Sequence, residues 1–116
     1  MNLFKNPKIK KFYNDAQESM INYLDSTTSY DKNDVKKCMK IIDFYLIEIE
    51  KVISKKEGLS VIKTTVNMLN LLNEDCYHEL IETDQREYLA QLINLAATEK
   101  GINEKNEDLT EKWRVW

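Results

Sequence analysis

Apolar residues recur at intervals of three and four positions along four stretches of this chain of 116 residues. That spacing places the apolar side chains on one face of an α-helix, and such a face is stable only when partner helices bury it. Glycine occurs twice and proline once, so the chain lacks the frequent turns of a β-protein. The pattern predicts an all-α, four-helix bundle-like single domain over residues 1–116. The helices are expected near residues 7–25, 31–56, 60–76 and 84–100.

Residues that favour helix ends support these four segments. The predicted N-caps, in chain order, are Asn6, Asp31, Ser60 and Asp84. Pro7 suits the first position of the first helix. Asp34 and Glu87 stand three residues after two of the caps, where a carboxylate completes a capping box. Gly58 and Gly101 are expected just beyond the second and fourth helices, because glycine readily adopts the left-handed conformation that ends many helices.

The apolar stripes define the expected core. They are Ile9–Leu24, which includes Tyr23, then Val35–Ile53, Val61–Cys76 and Tyr88–Ala96. Asn73 is placed off the third stripe. Leu109, Trp113 and Trp116 follow at spacings of four and three, which predicts a short C-terminal helical turn that lays two indole rings on the bundle.

The second helix is apolar on two sides. Phe44 and Ile47 fall opposite its main stripe, one turn apart, among lysine residues. A helix of this kind is central in its domain or forms half of an interface. We expect the two side chains to be covered, either by a second copy of the chain or by the tail that carries Trp113 and Trp116.

Few residues could carry chemistry. His78 is the only histidine, and Cys38 and Cys76 are the only cysteines, which is too small a set for a zinc site. Two isolated glycines cannot form a phosphate-binding loop. We therefore expect no metal, no cofactor and no enzymatic activity, with Cys76 acting as a small hydrophobic residue. The alternative is a small helical enzyme or ligand-binding protein that uses the stretch Cys76–Arg86.

Charge is distributed unevenly along the chain. Residues 1–14 carry four lysines and no acidic residue, whereas residues 67–87 carry six carboxylates and one arginine. Asp84 and Glu87 are assigned to capping, which leaves four carboxylates free to face a partner. These four are Glu74, Asp75, Glu79 and Glu82. An acidic surface of this kind attracts a basic partner and speeds its docking, although a solvated turn between two helices would also place carboxylates here.

We therefore predict a small, non-enzymatic protein-binding module with a protein partner that is basic where it meets the acidic surface. The predicted partner-binding residues are Glu74, Asp75, Glu79, Glu82, Phe44 and Ile47. A net charge of −3 disfavours nucleic acid, and no apolar run is long enough to span a membrane. Two widely separated cysteines and the lack of a leader-like start favour a cytoplasmic protein.

Size, acidity and helicity are similar to those of small bacterial proteins that bind and neutralise a partner. Immunity proteins of toxin systems and many adaptors belong to that group. The similarity is one of general form, and form alone does not determine function. A further alternative is a structural subunit, most simply a homodimer.

Overall fold

The computed structural model describes residues 2–116 of the protein. The four helices are α1 (Pro7–Asn22), α2 (Lys32–Lys51), α3 (Lys55–Asp75) and α4 (Thr83–Glu99). One turn of 3-10 helix, Leu3–Lys5, precedes α1. The described part of the chain contains no strand. The prediction of an all-α, four-helix bundle-like fold is therefore confirmed.

The bundle is built from two helix pairs. α1 packs along α4 and α2 packs along α3, while contacts of α2 with α1 and α4 join the pairs. At one end the Leu3 N–H donates to Glu50 Oε1 at 3.2 Å, and Lys100 Nζ donates to the Glu50 carbonyl at 2.8 Å. At the other end the Ser29 N–H donates to Glu79 Oε1 at 2.8 Å. Successive helices therefore run in opposite directions, in a molecule of 44 × 26 × 22 Å.

Three predicted helix ends are confirmed. Asn6 Oδ1 accepts hydrogen bonds from the first-turn amides of α1, and Pro7 takes the first helical position. Asp31 and Asp34 form a complete capping box at the start of α2. Gly101 follows α4 with φ +70°, and its N–H donates to the Thr98 carbonyl at 2.9 Å.

The predicted start of the third helix is wrong, because Ser54 rather than Ser60 is the N-cap. Ser54 Oγ accepts a hydrogen bond from the Glu57 N–H at 3.1 Å, and Glu57 Oε1 accepts one from the Ile53 N–H at 3.2 Å. These reciprocal bonds satisfy amides that the first helical turn leaves unpaired. Ser60 consequently lies inside α3, with its side chain exposed.

Gly58 does not follow α2, which ends at Lys51, but lies buried in the first turns of α3. A Cβ atom on Gly58 would lie 2.4 Å from Ile102 Cδ1 and 2.8 Å from Ile102 Cγ1. The glycine is therefore explained by the close approach of the chain that follows α4, and not by a helix ending.

The fourth helix begins at Thr83 with Glu82 as its N-cap, so the prediction of Asp84 as N-cap is wrong. The Glu82 N–H donates to Oε1 of the buried Gln85 at 3.1 Å, and this bond sets the start of the helix. Asp84 is left to accept a hydrogen bond from the Tyr23 hydroxyl at 3.2 Å.

Most of the predicted core is buried or half-buried, but two predicted core residues are exposed and one residue placed outside the core is buried. Tyr23 is 59% exposed and Ile53 is 91% exposed, because α1 and α2 end at residues 22 and 51 and the helical period no longer applies beyond them. Asn73, placed off the stripe by its polarity, is only 2% exposed. Its Oδ1 accepts a hydrogen bond from the Ile81 N–H at 2.9 Å, which compensates for the burial.

The C-terminal tail, residues 109–116, forms the expected turn. The Trp113 and Arg114 amides both donate to the Thr110 carbonyl, at 3.1 and 2.9 Å. Asn70 of α3 holds the tail, because its Nδ2 donates to the Trp113 carbonyl at 2.8 Å and its Oδ1 accepts from the Val115 N–H at 3.1 Å. The tail therefore lies on α3.

The outer face of α2 is not covered by this tail. Phe44 remains 40% exposed and Ile47 remains 45% exposed. Of the two expected covers, the tail is ruled out, because the hydrogen bonds of Asn70 hold it elsewhere, and cover by a second copy of the chain stays a prediction.

Candidate functional site

The four carboxylates that the sequence singled out lie at the end of α3 and in the connection from α3 to α4. Together with the last two residues of α3, this connection forms a segment, residues 74–82, that we call the acidic turn. It lies at the end of the bundle that also holds the α1–α2 loop, since Glu79 Oε1 accepts the Ser29 N–H. Glu74, Asp75 and Glu82 are exposed, and Glu79 is half-buried.

The four carboxylates divide into two that are engaged and two that are free. Glu79 holds the α1–α2 loop through its bond to Ser29, and Glu82 is the N-cap of α4. Within residues 2–116, the side chains of Glu74 and Asp75 make no hydrogen bond and no ion pair. Glu74 and Asp75 are therefore the carboxylates that can receive a ligand without breaking an internal contact.

The positions of Glu74 and Asp75 oppose the electrostatics of α3. Both lie in its last turn, where the carbonyl groups give the helix a negative end. In α2 the last turn carries Lys51 beside Glu50, and in α4 the last residue, Glu99, is followed by Lys100, so both of these ends have a cation that α3 lacks. Carboxylates at a helix C-terminus are disfavoured by about 0.3–1 kcal/mol each. Helix stability therefore does not account for these two residues.

The backbone of the acidic turn is strained at Tyr77 and His78, whose φ angles are 55° and 63°. The His78 N–H donates to the Asn73 carbonyl at 2.8 Å, and the Tyr77 N–H donates to the Glu74 carbonyl at 3.0 Å. This is the Schellman ending, in which glycine usually takes the left-handed position because it has no Cβ. Tyr77 stands where Gly101 stands after α4, at a cost of about 1–2 kcal/mol for a residue with a side chain.

The strained turn is nevertheless held firmly. Asn73 binds it twice, since its carbonyl accepts the His78 N–H and its buried Oδ1 accepts the Ile81 N–H. Leu80 and Ile81 are buried in the core, and so fix the chain just beyond the tip. Tyr77 is thus presented by a rigid backbone, with its side chain 78% exposed.

Tyr77 was not among the residues that the sequence indicated as binding residues. A signal was present, because the apolar stripe of the third helix stops at Cys76 and leaves the next residue, an aromatic one, among carboxylates. Its left-handed backbone was not readable from the sequence, since that depends on the hydrogen bonds of Asn73.

The residues of the alternative catalytic or ligand-binding site are not brought together. Cys76 is buried, and burial together with the carboxylates of Asp34 and Asp75 raises the pKa of its thiol to about 11. Such a thiol is protonated at neutral pH and is a poor nucleophile. His78 is exposed, and its side chain makes no hydrogen bond within residues 2–116. Arg86 faces away, into a groove between α1 and α4.

Two grooves outside the acidic turn are lined in part by α1. The first, of about 870 Å³, runs along α4 against the amino-terminal part of α1 and the chain after Gly101, and both arginines, Arg86 and Arg114, line it. The second, of about 480 Å³, lies between α1, α2 and the 3-10 turn, and we call it the α1–α2 groove. Its lining includes Phe4, Ile9, Tyr13, Asp43, Leu46 and Ile47. Neither groove contains Cys76 or His78.

No family model matches the chain, and neither a curated protein nor a solved structure matches it. Any assignment of function therefore depends on the chain's own residues and their geometry. Within residues 2–116 no group of three or more His, Cys, Asp or Glu side chains could hold a metal ion. The described helices include none that is long and apolar enough to cross a membrane.

Proposed function

We propose that this protein is a non-enzymatic binding module that captures a basic partner protein with its acidic turn. The observation that supports the proposal most is the placement of Tyr77. This aromatic side chain is 78% exposed at a left-handed position, near two carboxylates that make no hydrogen bond or ion pair within residues 2–116.

This arrangement does not stabilise the fold. A glycine at position 77 would relieve the backbone strain, and cations at positions 74 and 75 would improve the electrostatics of α3. Three neighbouring positions thus carry residues that lower the stability of the fold. Strain and unfavourable charge concentrate where function requires them, because a protein tolerates such costs only where another property is gained.

The chemistry of the three side chains matches a basic protein surface. Tyrosine is enriched among the residues that dominate binding energy, and its ring face attracts an arginine or lysine cation. Glu74 and Asp75 can accept charge-assisted hydrogen bonds from the same cations. Exposed carboxylates also raise the rate of encounter with a positively charged partner. We infer that Tyr77 anchors the complex and that the carboxylates steer it.

The cellular setting is inferred from composition. The two buried, unpaired cysteines, Cys38 and Cys76, suit a reducing compartment, and we propose a cytoplasmic location. A bacterial adaptor or an immunity-type inhibitor is the kind of protein that a small acidic helical binder resembles, and both would use such a surface.

Site-specific photo-crosslinking in the source cell tests the proposal. A photoreactive phenylalanine analogue placed at Tyr77 should capture a protein with a basic surface, and the matched control places the analogue at Ile53, which is 91% exposed at the opposite end of the bundle. The adduct at position 77 should be lost when Glu74 and Asp75 are both replaced by lysine. An adduct of equal yield from position 53, or one that survives the charge reversal, would contradict the proposal.

A further inference from the structure

Helices α3 and α4 hardly touch each other, although each packs along another helix of the bundle. The tail lies between them instead. At its start the Leu109 N–H donates to Asn94 Oδ1 of α4 at 2.9 Å. Further along, Asn70 of α3 donates to the Trp113 carbonyl and accepts from the Val115 N–H. The tail therefore closes the side of the bundle that an interface between α3 and α4 would otherwise close.

Few polar contacts attach the tail to the helices. Within residues 2–116, these three hydrogen bonds are the only ones between the tail and a helix, and all three use an asparagine side chain. Arg114 adds none, because its ion pair is with Asp108 and its hydrogen bond is to the Trp116 carbonyl. A hydrogen bond between neutral groups contributes little net stability, since both groups can bond to water when it breaks.

The tail also contains two buried donors that have no acceptor. Arg114 Nε and Trp116 Nε1 are the only buried side-chain nitrogen or oxygen atoms without a hydrogen-bond partner within residues 2–116. A buried donor without an acceptor has lost the hydrogen bond that it makes with water, and opening of the tail restores it. The closed tail is therefore weakened by its own side chains.

Apolar burial holds the tail closed against this cost. Leu109 at its start and Trp116 at its end are 4% and 9% exposed, so both ends are anchored in the core. Between them the Trp113 and Arg114 amides both donate to the Thr110 carbonyl, which makes the backbone one compact turn. A segment that is anchored at both ends and bonded internally is expected to open all at once and not residue by residue.

We propose that the tail is a strap that opens as a single unit while the four helices remain folded. The chain before it stays fixed, because Ile102 is buried against Gly58 and because Asp108 Oδ1 accepts a hydrogen bond from Asn94 Nδ2 at 2.9 Å. The movement therefore begins at Leu109. Opening uncovers the side of the bundle between α3 and α4 and releases two indole rings. The strap gives the protein a closed and an open form with different surfaces, independently of the acidic turn.

Tryptophan fluorescence reports on the strap alone, because the two tryptophans of the chain, Trp113 and Trp116, both lie in it. Far-ultraviolet circular dichroism reports on the helices. Urea unfolding of the intact protein should therefore show the fluorescence transition at a lower urea concentration than the circular dichroism transition. Coincident transitions would overturn the proposal, because the tail would then open only when the helices unfold.

Amide hydrogen exchange of the intact protein distinguishes a strap from a frayed chain end. The protection factors of the Leu109, Trp113 and Val115 amides should agree within about threefold, and each should be at least about a hundredfold lower than that of Ile93 in the core of α4. Protection that falls steadily from Leu109 to Val115 would indicate fraying and would overturn the proposal. Protection of Leu109 equal to that of Ile93 would do the same.

A matched pair of variants on α3 tests the attachment. Asn70→Ala removes two of the three bonds to the helices, so the Leu109 amide should exchange about tenfold faster although Asn70 does not contact that amide. The circular dichroism midpoint should stay unchanged, because the helices unfold from the open form. The control Asn67→Ala, at an exposed position one turn earlier, should change neither quantity. Exchange of Leu109 at the wild-type rate in Asn70→Ala, a lowered circular dichroism midpoint or loss of folding would overturn the proposal.

Discussion

Tyr77 and Gly101 occupy the same position in two helix endings of the same type. In both endings the residue has a positive φ and its N–H donates to the carbonyl three residues back, which belongs to Glu74 for Tyr77 and to Thr98 for Gly101. Only Gly101 adopts this conformation without steric cost. The two endings therefore differ in steric strain, which Tyr77 carries and Gly101 does not.

We predict that Tyr77→Gly raises the free energy of unfolding by about 0.5–1 kcal/mol, because release of strain outweighs the added freedom of glycine in the unfolded chain. Urea unfolding followed by circular dichroism measures the change. Tyr23→Gly is the matched control, since Tyr23 is also an exposed residue after a helix but has φ −88°. That variant should lose stability. A Tyr77→Gly protein that is no more stable than the wild type would show that position 77 is not strained.

Gly58 shows why a residue type alone can mislead. Glycine near the end of an apolar stripe is typical of a helix ending, and both glycines of this chain follow that pattern in the sequence. Gly101 ends its helix, whereas Gly58 lies inside α3 because Ile102 occupies the space that a Cβ would need. Only the tertiary contact distinguishes the two, and periodicity carries no information about it.

At the scale of the helices, the sequence predicted the elements well and their ends less well. The stripe of α2 from Val35 to Ile49 is buried as expected, because the same face of this central helix packs against its neighbours at every turn. Helix starts depend on one or two hydrogen bonds, and several serine or acidic residues compete for that role. Ser54 and Ser60 suit a cap equally well by composition, so residue type alone does not identify Ser54 as the N-cap of α3.

The cap of α3 gives a direct test at this scale. Ser54→Ala should lower the free energy of unfolding by about 1 kcal/mol, because the Glu57 N–H loses its acceptor. Ser60→Ala serves as the control, since Ser60 is exposed inside the helix and alanine favours helix, so the variant should be as stable as the wild type or slightly more stable. Equal losses from the two substitutions, measured by urea unfolding, would place the start of α3 elsewhere.

At the scale of the whole molecule, the sequence predicted the candidate surfaces only in part. The acidic segment and the pair Phe44 and Ile47 could be recognised from composition and helical period. The sequence does not show which of the four carboxylates are engaged, because Glu79 and Glu82 take part in contacts that form only in the assembled bundle. Tyr77 was not predicted as a site residue, because its left-handed backbone conformation is visible only in the structure.

We infer that the acidic turn favours association with the partner at the expense of the stability of the fold. Replacing Glu74 and Asp75 by lysine should therefore separate the two properties. We predict a free energy of unfolding that is raised by about 0.5–1 kcal/mol, because the cations suit the negative end of α3. The capture of the partner should become slower at the same time, because the steering charge is reversed.

The association rate of the Glu74→Lys/Asp75→Lys protein with the partner recovered by crosslinking is the most direct test. Stopped-flow measurement at low ionic strength should give a rate about tenfold lower than that of the wild type, with the difference shrinking as salt is added. The control, Glu104→Lys/Glu111→Lys, makes the same change in net charge at two exposed positions in the chain after α4 and should slow association much less. An unchanged rate for the Glu74→Lys/Asp75→Lys protein, or an equal loss in the control, would contradict the assignment of the acidic turn as the binding site.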